Sequence, residues 1–251
     1  MKKVIGLVIL SGTLLLSGCS YGYEDPPPGT YTQGRDEVEQ VTSDTKLDHG
    51  EMITSSENEE VRLYSVNVIK DEYQGMVVDV NGKQKEFDWN FINLVDPQIF
   101  YTDVTGDGKA ETIIVLNTGK GTAMSINEIH VLDENLDEIN VQDVLKVVSE
   151  RISSQVTKKN DTTLSIQVQF DNKELDLEHP VDSDYILNQT ELGFGAIMYH
   201  KVEDQKIKTI ATGLIGMAPT YAASFEISYK YVAESNEFIA DEIQFIPSED
   251  R

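Results

Sequence analysis

The run Asp103-Val104-Thr105-Gly106-Asp107-Gly108-Lys109-Ala110-Glu111 sets oxygen-bearing side chains at loop positions 1, 3, 5 and 9. A hard cation such as calcium takes roughly six to eight oxygen ligands, and alternate residues of a tight loop can aim several at one ion. Asp103, Thr105 and Asp107 are the candidate side-chain ligands. Lys109 would supply its backbone carbonyl rather than its ammonium, and Glu111 would bind directly or through water. Gly108 at position 6 permits the sharp turn that brings the halves together. Position 12 falls on Ile114, where an EF-hand needs a bidentate glutamate, and strand patterns flank the loop instead of helices. The alternative is a metal-free Asp-Gly turn between two strands.

The loop resembles the aspartate-rich loop of FG-GAP/VCBS-type repeats, in which a segment of the form Asp-x-Asn/Thr-x-Asp-Gly-x-x-Asp/Glu joins two strands. Calcium binding is what that resemblance implies. It covers residues 98–117, a small part of the chain, and only one full loop is present. Asp79-Val80-Asn81-Gly82 and Asp171-Asn172 are partial echoes that ordinary hairpin turns explain. A propeller needs several similar blades, so a full propeller is not expected. With three carboxylates, the expected affinity is that of extracellular modules, on the order of 10⁻⁴–10⁻³ M.

Cys19 is the second chemically distinctive residue and the lone cysteine. Lys2 and Lys3 precede the apolar run Val4–Leu16, which ends in Ser17-Gly18-Cys19. A basic start, a short apolar core and small residues describe a secretory signal. The run falls short of the roughly 20 residues that span a bilayer core. Leu16-Ser17-Gly18-Cys19 resembles the lipobox of bacterial lipoproteins, which implies cleavage before Cys19 and diacylation of its sulfur. Two acyl chains anchor stably where one does not. The expected location is therefore extracytoplasmic, lipid-anchored to the bacterial cell membrane. An ordinary secretory signal with an incidental cysteine is the alternative.

The formal net charge is −24, and loss of residues 1–18 with their two lysines makes it about −26. Nucleic acid is excluded as a partner, because phosphate binding needs a surplus of lysine and arginine. A polybasic attachment to anionic lipid is excluded on the same ground, leaving the acyl groups to anchor the chain. The acidity itself is read as adaptation of an exported surface. Residues 19–60 have the composition of an acidic tether, with Pro26-Pro27-Pro28-Gly29 and few aliphatic side chains. Its root-mean-square reach is roughly 35 Å.

Strand patterns position the loop. Leu63–Ile69 and Gly75–Val80 lead through Asn81-Gly82 into Lys83–Trp89, and Gln98–Val104 and Glu111–Asn117 flank the loop. Asn127–Leu132 follows. Val141, Val144, Leu145, Val148 and Ile152 recur at helical spacing, with Asn140 in the N-cap position and Asp143 three residues later. Leu164, Ile166, Val168 and Phe170 then alternate, and further strand patterns continue to Phe245. The expected fold is α+β, mainly antiparallel β with one clear helix, in a single domain over 61–251. A subdomain break near 136–160 is the alternative.

Other patterns carry little chemistry. Thr118-Gly119-Lys120-Gly121-Thr122 lacks the spacing of a P-loop and reads as a loop after a strand. His49, His130, His179 and His200 are scattered, without the paired spacing of a zinc site. Phe87, Trp89 and Phe91 read as core. The leading expectation is a membrane-anchored lipoprotein with a calcium-stabilised binding or structural domain, without a catalytic constellation. Its expected partners are the membrane, through the Cys19 lipid, and a cell-envelope protein or polysaccharide. The alternative is a hydrolase or accessory enzyme acting on cell-wall or extracellular polymer, which a pocket gathering His130 or His200 with carboxylates would favour.

Overall fold

The computed structural model describes residue 47, residues 49–216 and residues 220–247. The 1–18 leader, Cys19 and most of the tether lie outside the described residues. Thr45–Arg251 groups as one compact unit.

Strands β1 (Met52–Ser55), β2 (Val61–Ile69), β3 (Glu72–Val80) and β4 (Lys83–Ile92) form an antiparallel sheet in that order. Asn81 and Gly82 turn β3 into β4 with φ of 52° and 91°, and Asp79 Oδ1 accepts the Gly82 amide at 2.8 Å. This is the Asn-Gly hairpin expected from sequence. Met52–Ser55 belongs to the stretch whose composition reads as tether, yet it pairs with Arg62–Tyr64. Pairing with β2 and the packing of Ile53 against the neighbouring core hold this strand.

A second sheet has the order β12-β13-β14-β15-β8-β7-β6-β5. Its first half in sequence is β5 (Gln98–Thr102), β6 (Glu111–Gly121), β7 (Met124–Leu132) and β8 (Glu138–Val141). Its second half is β12 (Ile197–Glu203), β13 (Lys206–Ile215), β14 (Thr220–Val232) and β15 (Glu237–Ile246). One edge of β7 carries β8 at Val131–Leu132 and β12, in parallel, at Ser125–Ile126. β8 also pairs in parallel with β15, so β7, β8, β15, β14, β13 and β12 close into a ring. Helix α1 (Val144–Arg151) leads directly into a third sheet of β9 (Ile152–Asn160), β10 (Thr163–Phe170) and β11 (Lys173–Pro180). Among the described residues the fold is thus mainly antiparallel β with one helix, and it is not a propeller.

Two cores flank β6. Ile113 joins a core with α1, β9, β10 and the inward faces of β13, β14 and β15, where Val147, Leu164, Ile166 and Phe225 are buried. Ile114 and Leu116 join a second core against the first sheet, with Leu63, Met76, Phe87, Trp89 and Phe91. A strand covered on both faces reads as an unbroken apolar run, which is what Ile113-Ile114-Val115-Leu116 is.

Three local expectations are corrected. The helix is capped by Asp143, whose Oδ1 accepts the Lys146 amide at 2.7 Å, and not by Asn140. Val141 is drawn into β8 opposite Phe238, Ile152 opens β9, and Leu145 is 42% exposed, so the buried stripe is Val144, Val147 and Val148. Thr118–Gly121 is strand, because β6 runs on to Gly121 past a bulge at Asn117–Gly119. A bulge absorbs the extra residue and lets the ladder continue where composition suggests a loop.

Candidate metal loop

The Asp103–Ala110 segment joins β5 to β6, with Thr102 paired to Glu111 at its base. Gly106 and Gly108 hold φ of 82° and 88°. A Cβ at either would meet nothing within 4 Å, so glycine is required there for backbone conformation and not for space. Asp103 clasps the loop: Oδ1 accepts the Gly106 amide at 2.7 Å and Oδ2 the Gly108 amide at 2.9 Å. Asp107 Oδ1 accepts the Lys109 amide at 2.8 Å. Glu111 reaches back to the loop's entry, where Oε2 accepts the amides of Val104 at 2.9 Å and Thr105 at 3.2 Å. The Thr105 hydroxyl donates to Glu111 Oε1 at 3.4 Å.

Glu111 is 4% exposed, whereas Asp107 and Lys109 face solvent. Burial pushes the Glu111 carboxyl above its ordinary pKa, the two amides pull it down, and the charges of Asp107 and Asp103 push it up again. The net shift is upward. Among the described residues no lysine or arginine forms an ion pair with Asp103, Asp107 or Glu111. Lys109 turns outward instead, its Nζ 2.6 Å from Glu134 Oε2, and that contact raises the lysine's pKa.

All five expected residues therefore lie together between Asp103 and Glu111, and Lys109, the cation among them, pairs with Glu134 rather than with the loop's carboxylates. They do not form a ready cage, since among the described residues no three His, Cys, Asp or Glu side chains are placed to hold a metal ion. The carboxylates are spent partly on amides. Each ionised carboxylate nonetheless offers about four acceptor positions, so the amides leave oxygen capacity unused. The donor set of carboxylates, a hydroxyl and a backbone carbonyl is of the kind calcium takes. The residues fit the ion in chemistry, and calcium would supply charge neutralisation.

Sequence reasoning missed what surrounds the loop. Lys83 donates through Nζ to the Glu134 carbonyl at 3.0 Å, and Lys85 pairs with Asp137 at 2.7 Å. The turns after β3 and β7 thereby meet the loop's Lys109 through Glu134. No local signal announces contacts between residues so far apart in sequence.

Three of the histidines pack against neighbouring side chains. His200 is buried, with Nε2 donating to the Asn127 carbonyl at 3.1 Å and Nδ1 facing the Thr209 hydroxyl at 2.8 Å. Burial pulls its pKa down to about 4, the nearby His130 adding to the effect. His130 stacks on Trp89 with ring centroids 3.9 Å apart, Trp89 stacks on Phe87 at 4.1 Å, and His130 Nδ1 lies 3.0 Å from Glu138. His49 stacks on Tyr64.

No protein-family model, curated protein or solved structure matches this chain. The class rests on the structure alone: among the described residues, a mainly antiparallel β domain with one helix, two cores and an acidic loop at the base of its doubly covered strand.

Proposed function

We propose that this chain is an extracytoplasmic protein of the bacterial cell envelope, anchored through lipid on Cys19. Its domain is a binding or structural module stabilised by calcium at Asp103, Thr105, Asp107, the Lys109 carbonyl and Glu111. The observation that carries this reading is the buried Glu111 carboxylate at the start of β6, raised in pKa by Asp103 and Asp107 and without an ion-pair partner among the described residues. A divalent ion offsets both the burial cost and the mutual repulsion of these carboxylates. It would also brace the entry to the strand that serves both cores. Neither His130 nor His200 lines the clefts at Arg151, Trp89 or Tyr185, and His200 is occupied by Thr209 and Asn127.

The anchor is tested by fractionating cells that express the wild type or Cys19→Ser during growth on an alkyne analogue of palmitate. The wild type is expected in the membrane fraction carrying the label, and Cys19→Ser unlabelled and released. A soluble wild type, or label retained by Cys19→Ser, would falsify lipid attachment at this residue.

A further inference from the structure

The connection from β11 to β12, Val181–Ala196, is long and irregular, a length uncommon in compact domains. It is pinned on both sides. The Val156 amide donates to the Thr190 carbonyl at 2.7 Å, Gln189 Nε2 donates to the Leu214 carbonyl at 3.1 Å, and the Gly216 amide donates to Gln189 Oε1 at 2.8 Å. Tyr185 closes a turn on Asp182 through an amide–carbonyl bond of 2.9 Å. Beside this turn lies a cavity of about 710 Å³, larger than the clefts of about 460 Å³ at Arg151 and at Trp89. That size lies within the range of small-ligand sites, roughly 300–1,000 Å³.

The lining has two characters. Pro180, Val181, Tyr185 and Ile186 give an apolar wall, and Ile186 is 82% exposed. His179, Asp182, Asn188 and Thr220 supply donors and acceptors along the other side, where the Thr220 hydroxyl lies 3.3 Å from His179 Nε2. Burial lowers the pKa of His179, favouring the neutral ring. The Tyr185 hydroxyl is shielded from solvent and has no hydrogen-bond partner among the described residues. The connection carries Asp182, Asp184 and Glu191 but no lysine or arginine, which disfavours anionic ligands. A ligand matched to this lining has one apolar face, an edge of groups that both donate and accept, and no negative charge. A neutral sugar unit has those properties, its C–H face suiting the apolar wall and its hydroxyls the donors and acceptors opposite.

We propose that this cavity is a binding site for a neutral glycan. The proposal rests on the reading of the domain as a binding module, and it is independent of calcium at the Asp103 loop.

The test is calorimetric titration of the soluble Cys19→Ser chain with neutral oligosaccharides of glucose, mannose, galactose and N-acetylglucosamine, each in chelator and in millimolar calcium. Saturable binding to at least one is expected in both conditions. It should weaken about tenfold or more in Asn188→Ala and in Ile186→Asp, with unchanged melting, since both side chains face solvent. Binding to none of the four, or binding that both variants leave intact, overturns the proposal. So does tighter binding of polyphosphate or oligolysine, or displacement of the sugar by the neutral apolar dye N-phenyl-1-naphthylamine. Binding seen only with calcium would tie the site to the Asp103 loop and also overturn it. Sugar binding in chelator without any calcium effect on melting would retain this site and remove the calcium reading.

Discussion

Glu111 carries opposing demands. Its carboxylate holds the Val104 and Thr105 amides, while burial and the charges of Asp107 and Asp103 raise its pKa. A carboxyl whose folded pKa is raised binds protons more readily folded than unfolded, so its ionisation lowers stability as pH rises through the folded pKa. Glu111→Gln keeps an oxygen for the two amides and removes the charge. The calcium-free variant is expected to melt above the wild type by a few degrees, about 1 kcal/mol, and to gain nothing from calcium. A calcium-free variant that melts lower, or one that still responds to calcium, would contradict this account of Glu111. His200 shows the other sign. Its folded pKa of about 4 lies below the ordinary 6.5, so the unfolded chain takes up its proton first as pH falls. Stability should drop between pH 6.5 and about 4 by an amount on the order of 3 kcal/mol. Urea titrations of wild type and His200→Gln at pH 7 and 5 isolate the effect, and equal pH dependence in both would refute it. The loop residues were legible because metal-ligand spacing is local. Glu134 and Lys83 were not, since only the folded turns bring them to Lys109.

Among the elements, alternation and turn chemistry located most strands, as at Leu164–Phe170 and at Asn81-Gly82. β9 was obscured because Ile152 extends the helical stripe by spacing, although its backbone is extended, with φ of −121°. Helical periodicity alone cannot tell where a strand takes over. The junction is fixed instead by Arg151, the last helical residue. Its guanidinium bonds Asp171 at 2.8 and 2.5 Å and donates to the carbonyls of Ala240 and Asp241 at 3.0 Å each. One side chain thus ties α1, the β10–β11 turn and β15. Burial pushes the Asp171 pKa up, but Arg151, the Ile243 amide and Lys173 outweigh it and hold it below the ordinary value. The stabilisation is therefore present above the unfolded carboxyl range and lost as pH falls through the folded pKa. Arg151→Met should cost about 2–3 kcal/mol at neutral pH, measured by denaturant unfolding. A loss below about 0.5 kcal/mol would reduce this tie to an ordinary surface pair.

At the scale of the molecule, the ring closed by β7 against β8 and β12 had no signature in the sequence. Parallel contacts at Ser125–Ile126 and at Phe238 join strands far apart along the chain. The order of elements is used twice: a meander β2-β3-β4 precedes β5–β8, and after α1 a meander β9-β10-β11 precedes β12–β15. The two uses differ at one telling place. β12 turns into β13 through Asp204 and Gln205 alone, both at positive φ, whereas β5 reaches β6 through the whole of Asp103–Ala110. A tight turn would suffice for connection, so the longer acidic loop calls for a further role, which on this account is to hold calcium at the base of the strand shared by both cores. The most direct measurement is the thermal midpoint of the soluble Cys19→Ser chain in chelator and in millimolar calcium, beside the same chain with Asp107→Ala. Calcium at about ten times its dissociation constant should add about 1.4 kcal/mol, raising the midpoint by a few degrees, and Asp107→Ala should abolish the rise. An identical midpoint in chelator and in calcium for the Asp107-bearing chain would contradict the account.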